Sequence, residues 1–289
     1  MLSYRHAFHA GNHADVLKHW VLTLCIDYLK QKERPFHLID THAGAGRYAL
    51  HDRMAQQTRE AERGILTLWS RRDSVPDVFA QYLDMVAQGQ HGPLRHYPGS
   101  PLIAHRLLRR GDRLRLVEQH GTEFAALQKL FRDARQVDLV QGDGFKQLKA
   151  WLPPVTQRAL VIIDPSYELK TDYEAVTRAV QESLRRFPAC MILVWYPLLA
   201  QGLMNTMTNR LGQSGAKESG AKEWLDVRLR VQVEPKGHGM FGSGLFLINP
   251  PWVLREQLAQ GLPFLVQTLG QDAGAGFDVS VSEQGASAR

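Results

Sequence analysis

The chain has 289 residues, 44% of them hydrophobic, with a formal net charge of +6 and a sequence pI of about 9.4. That length suits one α/β domain with an insertion, and the positive charge favours a polyanionic partner. No apolar stretch is long enough to span a bilayer, and the opening MLSYRHAFHAGNHADVLKHW lacks the apolar block of a signal peptide. Two isolated cysteines, Cys25 and Cys190, exclude a disulfide framework and a cysteine-zinc cage. A cytoplasmic protein without membrane or metal is the expectation.

Asp15 to Lys30 reads as a helix, because Val16, Leu17, Trp20, Val21, Leu24, Tyr28 and Leu29 recur at helical spacing and Asp15 can cap it. Phe36 to Ile39 is a short strand that ends at Asp40, and a Gly-rich turn follows. From about Leu50 to Tyr97 no strand is legible. Ile65, Leu66, Leu68 and Trp69, then Val78, Phe79, Tyr82, Leu83 and Val86, suggest two helices of a helical insertion. Ser100-Pro101 opens the next helix, with serine as N-cap and proline in the first turn.

A regular alternation comes next. Strands Leu114 to Glu118, Val137 to Val140, Leu160 to Ile163 and Met191 to Trp195 are separated by helices Thr122 to Phe131, a short one carrying Phe145, Leu148 and Leu152, and Tyr173 to Phe187. A helix near Leu199 to Leu211 leads to two strands, Leu225 to Val233 and Leu245 to Ile248, joined by a connection rich in glycine (Gly237, Gly239, Gly242, Gly244). A helix from about Val253 to Leu269 closes the series. Seven strands alternating in this way predict a mostly parallel sheet covered on both faces, and the final hairpin makes the last strand antiparallel. The direct repeat SGAKESGAKE, Ser214 to Glu223, reads as a mobile loop, and the polar tail after Gly270 is expected to lose order beyond about Val281.

Two apolar runs end unusually, VIIDPSY at Tyr167 and LFLINPPW at Trp252. In a parallel sheet, ligands bind at the carboxyl ends of the strands. Asp40, Glu118, Asp143 and Asp164 all fall there, whereas Asn249 ends the antiparallel strand and should open on the opposite rim as a strand-to-helix connection. The clustered Arg106, Arg109, Arg110, Arg113 and Arg115 fit either a solvated helix end or a phosphate-contacting patch.

The turn Asp40-Thr41-His42-Ala43-Gly44-Ala45-Gly46 meets a relaxed dinucleotide pattern, Gly44-x-Gly46-x-x-Ala49. A nicotinamide enzyme needs an acid-ended strand about 20 residues on; here the chain is polar AQQTREAERG, and the acid appears only at Glu118. Four acidic strand ends fit S-adenosylmethionine better. Glu118 can accept from both ribose hydroxyls, Asp143-Gly144 can bond an adenine amino group and admit its ring, and Asp40 with the glycine turn suits a cationic amino-acid tail.

These residues resemble the class I S-adenosylmethionine-dependent methyltransferases, whose amino-group branch carries Asp/Asn/Ser-Pro-Pro-aromatic after the fourth strand; Asp164-Pro165-Ser166-Tyr167 departs only at Ser166. The opening Tyr4 to His19, with DTHAGAGRY, YPGSP, DGF and DPSYE, is similar to the ribosomal RNA large subunit methyltransferase J family. The resemblance implies a Rossmann-like fold and methylation of N6 of one adenine in 23S rRNA, adenine 2030 in the family. It implies that His19, His42, Ser100, Glu118, Asp143, Gly144 and Asp164 contact the cofactor, and that Tyr4, gating the site, meets the RNA with His6 and Lys18. Asp164, Pro165 and Tyr167 are the expected catalytic residues: carboxylate and carbonyl accept the two amine N–H bonds while the ring stacks on the base. The domain division expected is 1–49 with 98–289, including the N-terminal helix and motif over 1–34, and a helical insertion subdomain at 50–97. A monomer is expected. On DPSY alone, DNA adenine or protein glutamine methylation stays open, as does an inactive RNA-binding scaffold.

Overall fold

The computed structural model describes residues 5–90, 92–200, 202–217, 223–237 and 239–282. Tyr4 lies outside them, as do the later half of the SGAKESGAKE repeat up to 222 and the tail from 283. Among the described residues no helix is long and apolar enough to cross a membrane.

The central sheet is built from β1 (His37–Asp40), β4 (Arg113–Glu118), β5 (Val137–Gln141), β6 (Ala159–Ile163), β7 (Met191–Leu199), β8 (Trp224–Arg230), β9 (Met240–Ile248) and β10 (Gly276–Val281). Its order is β10-β8-β9-β7-β6-β1-β4-β5. The strands from β7 to β5 in that order are mutually parallel, while β9 runs antiparallel to both β7 and β8. The chain leaves β1 toward β4 on one side and returns through β6 on the other, so the strand order reverses between β1 and β6. A crevice at the carboxyl ends there is the usual ligand site of such sheets.

Residues alternate between two cores. Leu160 and Ile162 of β6 face the cluster formed with α1 (His13–Lys30) and α10 (Leu254–Leu269), while Ala159, Val161 and Ile163 face the one formed with α8 (Thr171–Arg186) and α9 (Leu203–Lys217). Burial on both faces is why β6 reads as an unbroken apolar run.

The seven-stranded expectation is corrected to eight by β10, which pairs antiparallel with β8 from Gly276↔Arg230 to Val281↔Leu225. Its sequence sits in a polar tail, and as an edge strand it buries little, so no apolar run marks it. Gly242 and Gly244 belong to β9 and not to a connection. A Cβ at Gly244 would run into the Tyr196 ring, and one at Gly242 into the Leu229 carbonyl, so this strand needs glycine for close approach. The first half of the repeat continues α9 as far as Lys217 instead of forming a loop.

The insertion holds α2 (Arg53–Thr58), α3 (Ile65–Ser70) and α4 (Ala80–Ala87), one helix more than expected, with 3₁₀ turns that include Glu60–Arg63. Its ends are tied together by β2 (Arg47–Ala49) and β3 (His96–Pro98), which pair antiparallel. Two cap assignments also change. Asn12, not Asp15, caps α1 by accepting from the Asp15 N–H, and Gly99, not Ser100, is the N-cap of α5 (Ser100–Leu107).

Asn249 opens on the rim opposite the four acids, as expected. Its amide donates to the carbonyls of Pro188 and Cys190, which precede β7, and Trp252 is 75% exposed.

Candidate active site

Two cavities lie side by side at the carboxyl-end rim. One, about 350 Å³, runs between the β1 turn, the start of α5 and the end of β4, and is lined by His19, His42, Gly44, Ser100 and Glu118. The other, about 400 Å³, is lined by Asp15, Tyr167, Trp195, Glu60 and Arg63. His6, Lys18, Asp164 and Ser166 line both, so the cavities meet at the end of β6.

Glu118 ends β4 with its carboxylate turned back toward the β1 turn. Oε2 accepts from the Gly44 N–H at 2.7 Å and Oε1 from the His120 N–H at 2.6 Å. Burial raises its pKa against those two bonds. Each oxygen keeps a lone pair, so the group can still take hydroxyl donors. Gly44 adopts φ +62°, and a Cβ there would meet the Tyr48 hydroxyl, so the turn requires glycine.

Asp40 does not reach the cavity. It is 0% exposed, and its oxygens are taken by the Ser100 hydroxyl at 2.6 Å and the His42 N–H at 3.1 Å. Burial pushes its pKa up to about 6, and the nearby Asp164 charge adds to that. Asp40 therefore holds Ser100 and His42, which do line the cavity, and Ser100 is more than a helix start. Asp143 caps α7 (Gly144–Trp151) through the N–H groups of Phe145 and Lys146. Asp143 and Gly144 stand beside this cavity, not on its wall, with Phe145 edge-on to His42 at 5.1 Å between ring centroids. A Cβ at Gly144 would strike the Thr41 carbonyl, so glycine here also serves backbone packing.

Two histidines of this cavity, His42 and His19, are held toward the neutral ring by burial. Burial lowers His42 to about 4 and His19 well below its usual value. His19 Nδ1 pairs with the Tyr97 hydroxyl at 2.7 Å, while its Nε2 has no hydrogen-bond partner among the described residues.

At the junction, Lys18 places its ammonium 2.5 Å from Asp164 Oδ2 and 3.0 Å from Asp15 Oδ1. Asp15 also accepts from His6 Nε2 at 2.8 Å and from the Gly11 N–H at 2.8 Å. Lys18, expected at the RNA, is thus 4% exposed and committed to two carboxylates. The pattern gives Asp15 only a capping role; Lys18 meets it one turn along α1, and His6 reaches it because the 3₁₀ turn His6–Phe8 folds back over the helix. Tyr167 has φ +52°, a left-handed conformation rare outside glycine. Its hydroxyl donates to the Trp195 carbonyl at 2.7 Å, and its ring lies 4.6 Å from that of Tyr173. Trp195 and Pro197 line the second cavity because β7 runs past the sheet rim, farther than its apolar run suggested.

The residues fit a nucleoside cofactor. One wall carries a half-buried carboxylate with free lone pairs, the other an imidazole nitrogen without a hydrogen-bond partner among the described residues, and a second cavity opens at the half-buried Asp164 end of β6. With the sheet order, this defines a class I S-adenosylmethionine-dependent methyltransferase. The chain belongs to the ribosomal RNA large subunit methyltransferase J family: the family model described as "Ribosomal RNA large subunit methyltransferase D, RlmJ" matches residues 33–280. It is 44% identical over 92% of its length to ribosomal RNA large subunit methyltransferase J of Escherichia coli K12, covering 93% of that protein. It is 43% identical over 93% of its length to the Haemophilus influenzae protein of the same name, covering 94% of it. Among solved structures, protein LPL1258 of Legionella pneumophila Philadelphia 1 superposes with a TM-score of 0.87 at 32% identity, over 96% of this chain and 99% of that one.

Proposed function

We propose that this chain transfers a methyl group from S-adenosylmethionine to N6 of one adenine of 23S rRNA, adenine 2030 as in its family. The observation that carries the reading is the junction of two cavities at Asp164, one suited to the cofactor and one to a base.

His19, His42, Ser100 and Glu118 bind the cofactor, with Asp143 and Gly144 at the edge of its adenine. When bound, the cofactor supplies an electrophilic methyl group on a sulfonium. The target base enters the second cavity flipped out of its strand. An exocyclic adenine nitrogen is a poor nucleophile, because its lone pair is delocalised into the ring. Lys18 occupies Asp164 Oδ2, which leaves Oδ1 to accept one amine N–H. The Pro165 carbonyl accepts the other, aimed by a φ that proline fixes. These two acceptors favour a pyramidal nitrogen and steady the positive charge it acquires, a preorganised electrostatic effect. The nitrogen is acidic once methylated, so its proton passes to Asp164 Oδ1 or to water without a strong base.

Tyr167 forms a wall for the base, and His6 and Lys18, with Tyr4, organise the RNA side of the site. Residues 1–49 and 98–289 form the methyltransferase domain and residues 50–97 a subdomain that walls the substrate cavity. The enzyme works in the cytoplasm as a monomer, which sedimentation checks directly.

Incubating unmodified large-subunit rRNA with labelled cofactor, then separating the nucleosides, tests the reading. N6-methyladenine is the expected product, and Asp164→Asn should slow its formation about 10²-fold or more. Label in another nucleoside, or in none, would overturn it.

A further inference from the structure

The substrate cavity has an inner end and a mouth. Asp15, Lys18 and Asp164 lie at the inner end, where the cofactor cavity joins it, with side chains 1%, 5% and 15% exposed. Arg63 and Gln271, both exposed, stand at the mouth. A flipped nucleotide enters base first, so its sugar–phosphate stays at the mouth.

The charges on this wall are otherwise matched. Asp15 is held by His6 and Lys18, and Asp164 by Lys18. Glu60 accepts from His9 at 2.9 Å and from the Asn12 amide at 2.9 Å, and Glu62 pairs with Arg59 at 3.7 Å. Arg63 is the exception: among the described residues no carboxylate lies within ion-pair distance of it. Its one hydrogen bond among the described residues runs from Nη1 to Gln271 Oε1 at 3.5 Å, beyond the good range. Most of its five donors are therefore available, in the fork that matches two phosphate oxygens.

Its backbone is fixed. The next residue, Gly64, packs so closely on Gly11 that a Cβ would strike the Gly11 carbonyl, and the Ile65 N–H donates to that same carbonyl at 2.7 Å. The turn carrying Arg63 is thus fastened to the N-terminal segment, which lines the same cavity through His9, Asn12 and His13. Burial lowers His13, farther along this wall, to about 4, and the Arg63 charge contributes in the same direction.

We propose that Arg63 is a phosphate-binding residue of the substrate site, receiving a phosphodiester of the RNA strand beside the flipped adenine. The helical insertion is then part of the substrate site. This rests on the reading of the substrate as RNA.

The test compares wild type, Arg63→Gln and Arg63→Lys. RNA binding by anisotropy across a salt series, KM for RNA, calorimetry with S-adenosylmethionine and thermal melting are measured on each. Arg63→Gln should weaken RNA binding and raise KM about tenfold at low salt, and reduce the slope of log K against log salt by about 0.7–0.9. Arg63→Lys should keep most of the slope but lose part of the affinity, because a point charge cannot make the paired contact. Cofactor affinity and melting temperature should not move, since Arg63 lines only the substrate cavity. A wild-type slope and KM in Arg63→Gln would overturn this assignment alone, as would a parallel loss of cofactor binding. A wild type that neither binds nor methylates RNA would overturn the proposed function, and the assignment with it.

Discussion

The Lys18 ammonium lies 2.5 Å from the Asp164 carboxylate, although the two residues are 146 positions apart and their side chains are only 5% and 15% exposed. Burial raises the Asp164 pKa and Lys18 opposes that rise. Burial also works against the Lys18 charge, but Asp164 and Asp15 outweigh it and its pKa is raised. Lys18→Met removes the cation hydrogen-bonded to Asp164, so the carboxyl should move further up and spend more time protonated at neutral pH. A protonated oxygen cannot accept the amine N–H as a carboxylate does. Turnover should fall most at neutral pH and recover partly toward pH 9, so the acid limb of the pH–rate profile shifts upward. The change leaves two buried carboxylates short of a partner, and it should cost about 3–5 kcal/mol of stability. A profile merely scaled down at every pH would show that Lys18 does not tune Asp164.

Glu118 joins the cofactor wall to two backbone turns through Gly44 and His120. Glu118→Gln puts an amide N–H where one of those turns also presents an N–H, and it removes the charge that the ribose hydroxyls would meet. Hydrogen bonds to a charged group contribute about 1.5–3 kcal/mol each, so cofactor affinity should drop on the order of 100-fold. Calorimetry with S-adenosylhomocysteine measures this, and an unchanged Kd would remove Glu118 from the site.

The arginine-rich stretch from Arg106 to Arg115 is largely spent inside the protein. Arg109 chelates Asp112 with Nε and Nη2, both at 3.0 Å, and donates to the Lys32 carbonyl at 2.8 Å. Asp112 in turn accepts from the Phe36 N–H at 3.1 Å, which fastens the entry of β1. Arg106 bonds the Met85 and Gln88 carbonyls, and Arg115 pairs with Asp138 at 3.4 Å. Arg109→Ala strands the Asp112 charge and should cost about 3 kcal/mol in urea unfolding. It should leave the salt dependence of RNA binding as it was; a shallower slope would return this stretch to the RNA surface.

What the sequence disclosed and what it hid follow the range of the interactions. β6 and its Asp164 end were legible, because a strand buried on both faces must be apolar throughout and must stop at its polar edge. Asp143 read as a group for the adenine of the cofactor, and its local capping of α7 through the Phe145 and Lys146 N–H groups emerges with the fold. Asp15 read as a cap, yet it is the buried partner of Lys18 one turn along α1 and of His6, and the second contact depends on how the 3₁₀ turn His6–Phe8 folds back. Asp40 looked like a ligand because it ends a strand, and only the packing of Ser100 over it shows that it acts from behind the wall. Gly242 and Gly244 resembled loop residues, since the ring that excludes a Cβ at Gly244 belongs to Tyr196 on the neighbouring strand.

Asp40 supplies the last prediction. Its carboxyl has a pKa of about 6 in the folded protein against an ordinary value of 3.8. Between about pH 4 and pH 6 the folded state therefore holds a proton that the unfolded state has released. Stability contributed by that proton is present below this window and is lost as pH rises through it. Asp40→Asn cannot titrate, yet its amide can still accept from the His42 N–H and donate to the Ser100 hydroxyl, so the wall of the cofactor cavity should persist. Unfolding free energies at pH 4 and pH 7.5 should show the variant gaining on the order of 2–3 kcal/mol relative to wild type across the window. A wild-type-minus-variant difference that stays flat with pH would mean that Asp40 ionises as freely when folded as when unfolded, and that its burial under Ser100 carries no electrostatic cost.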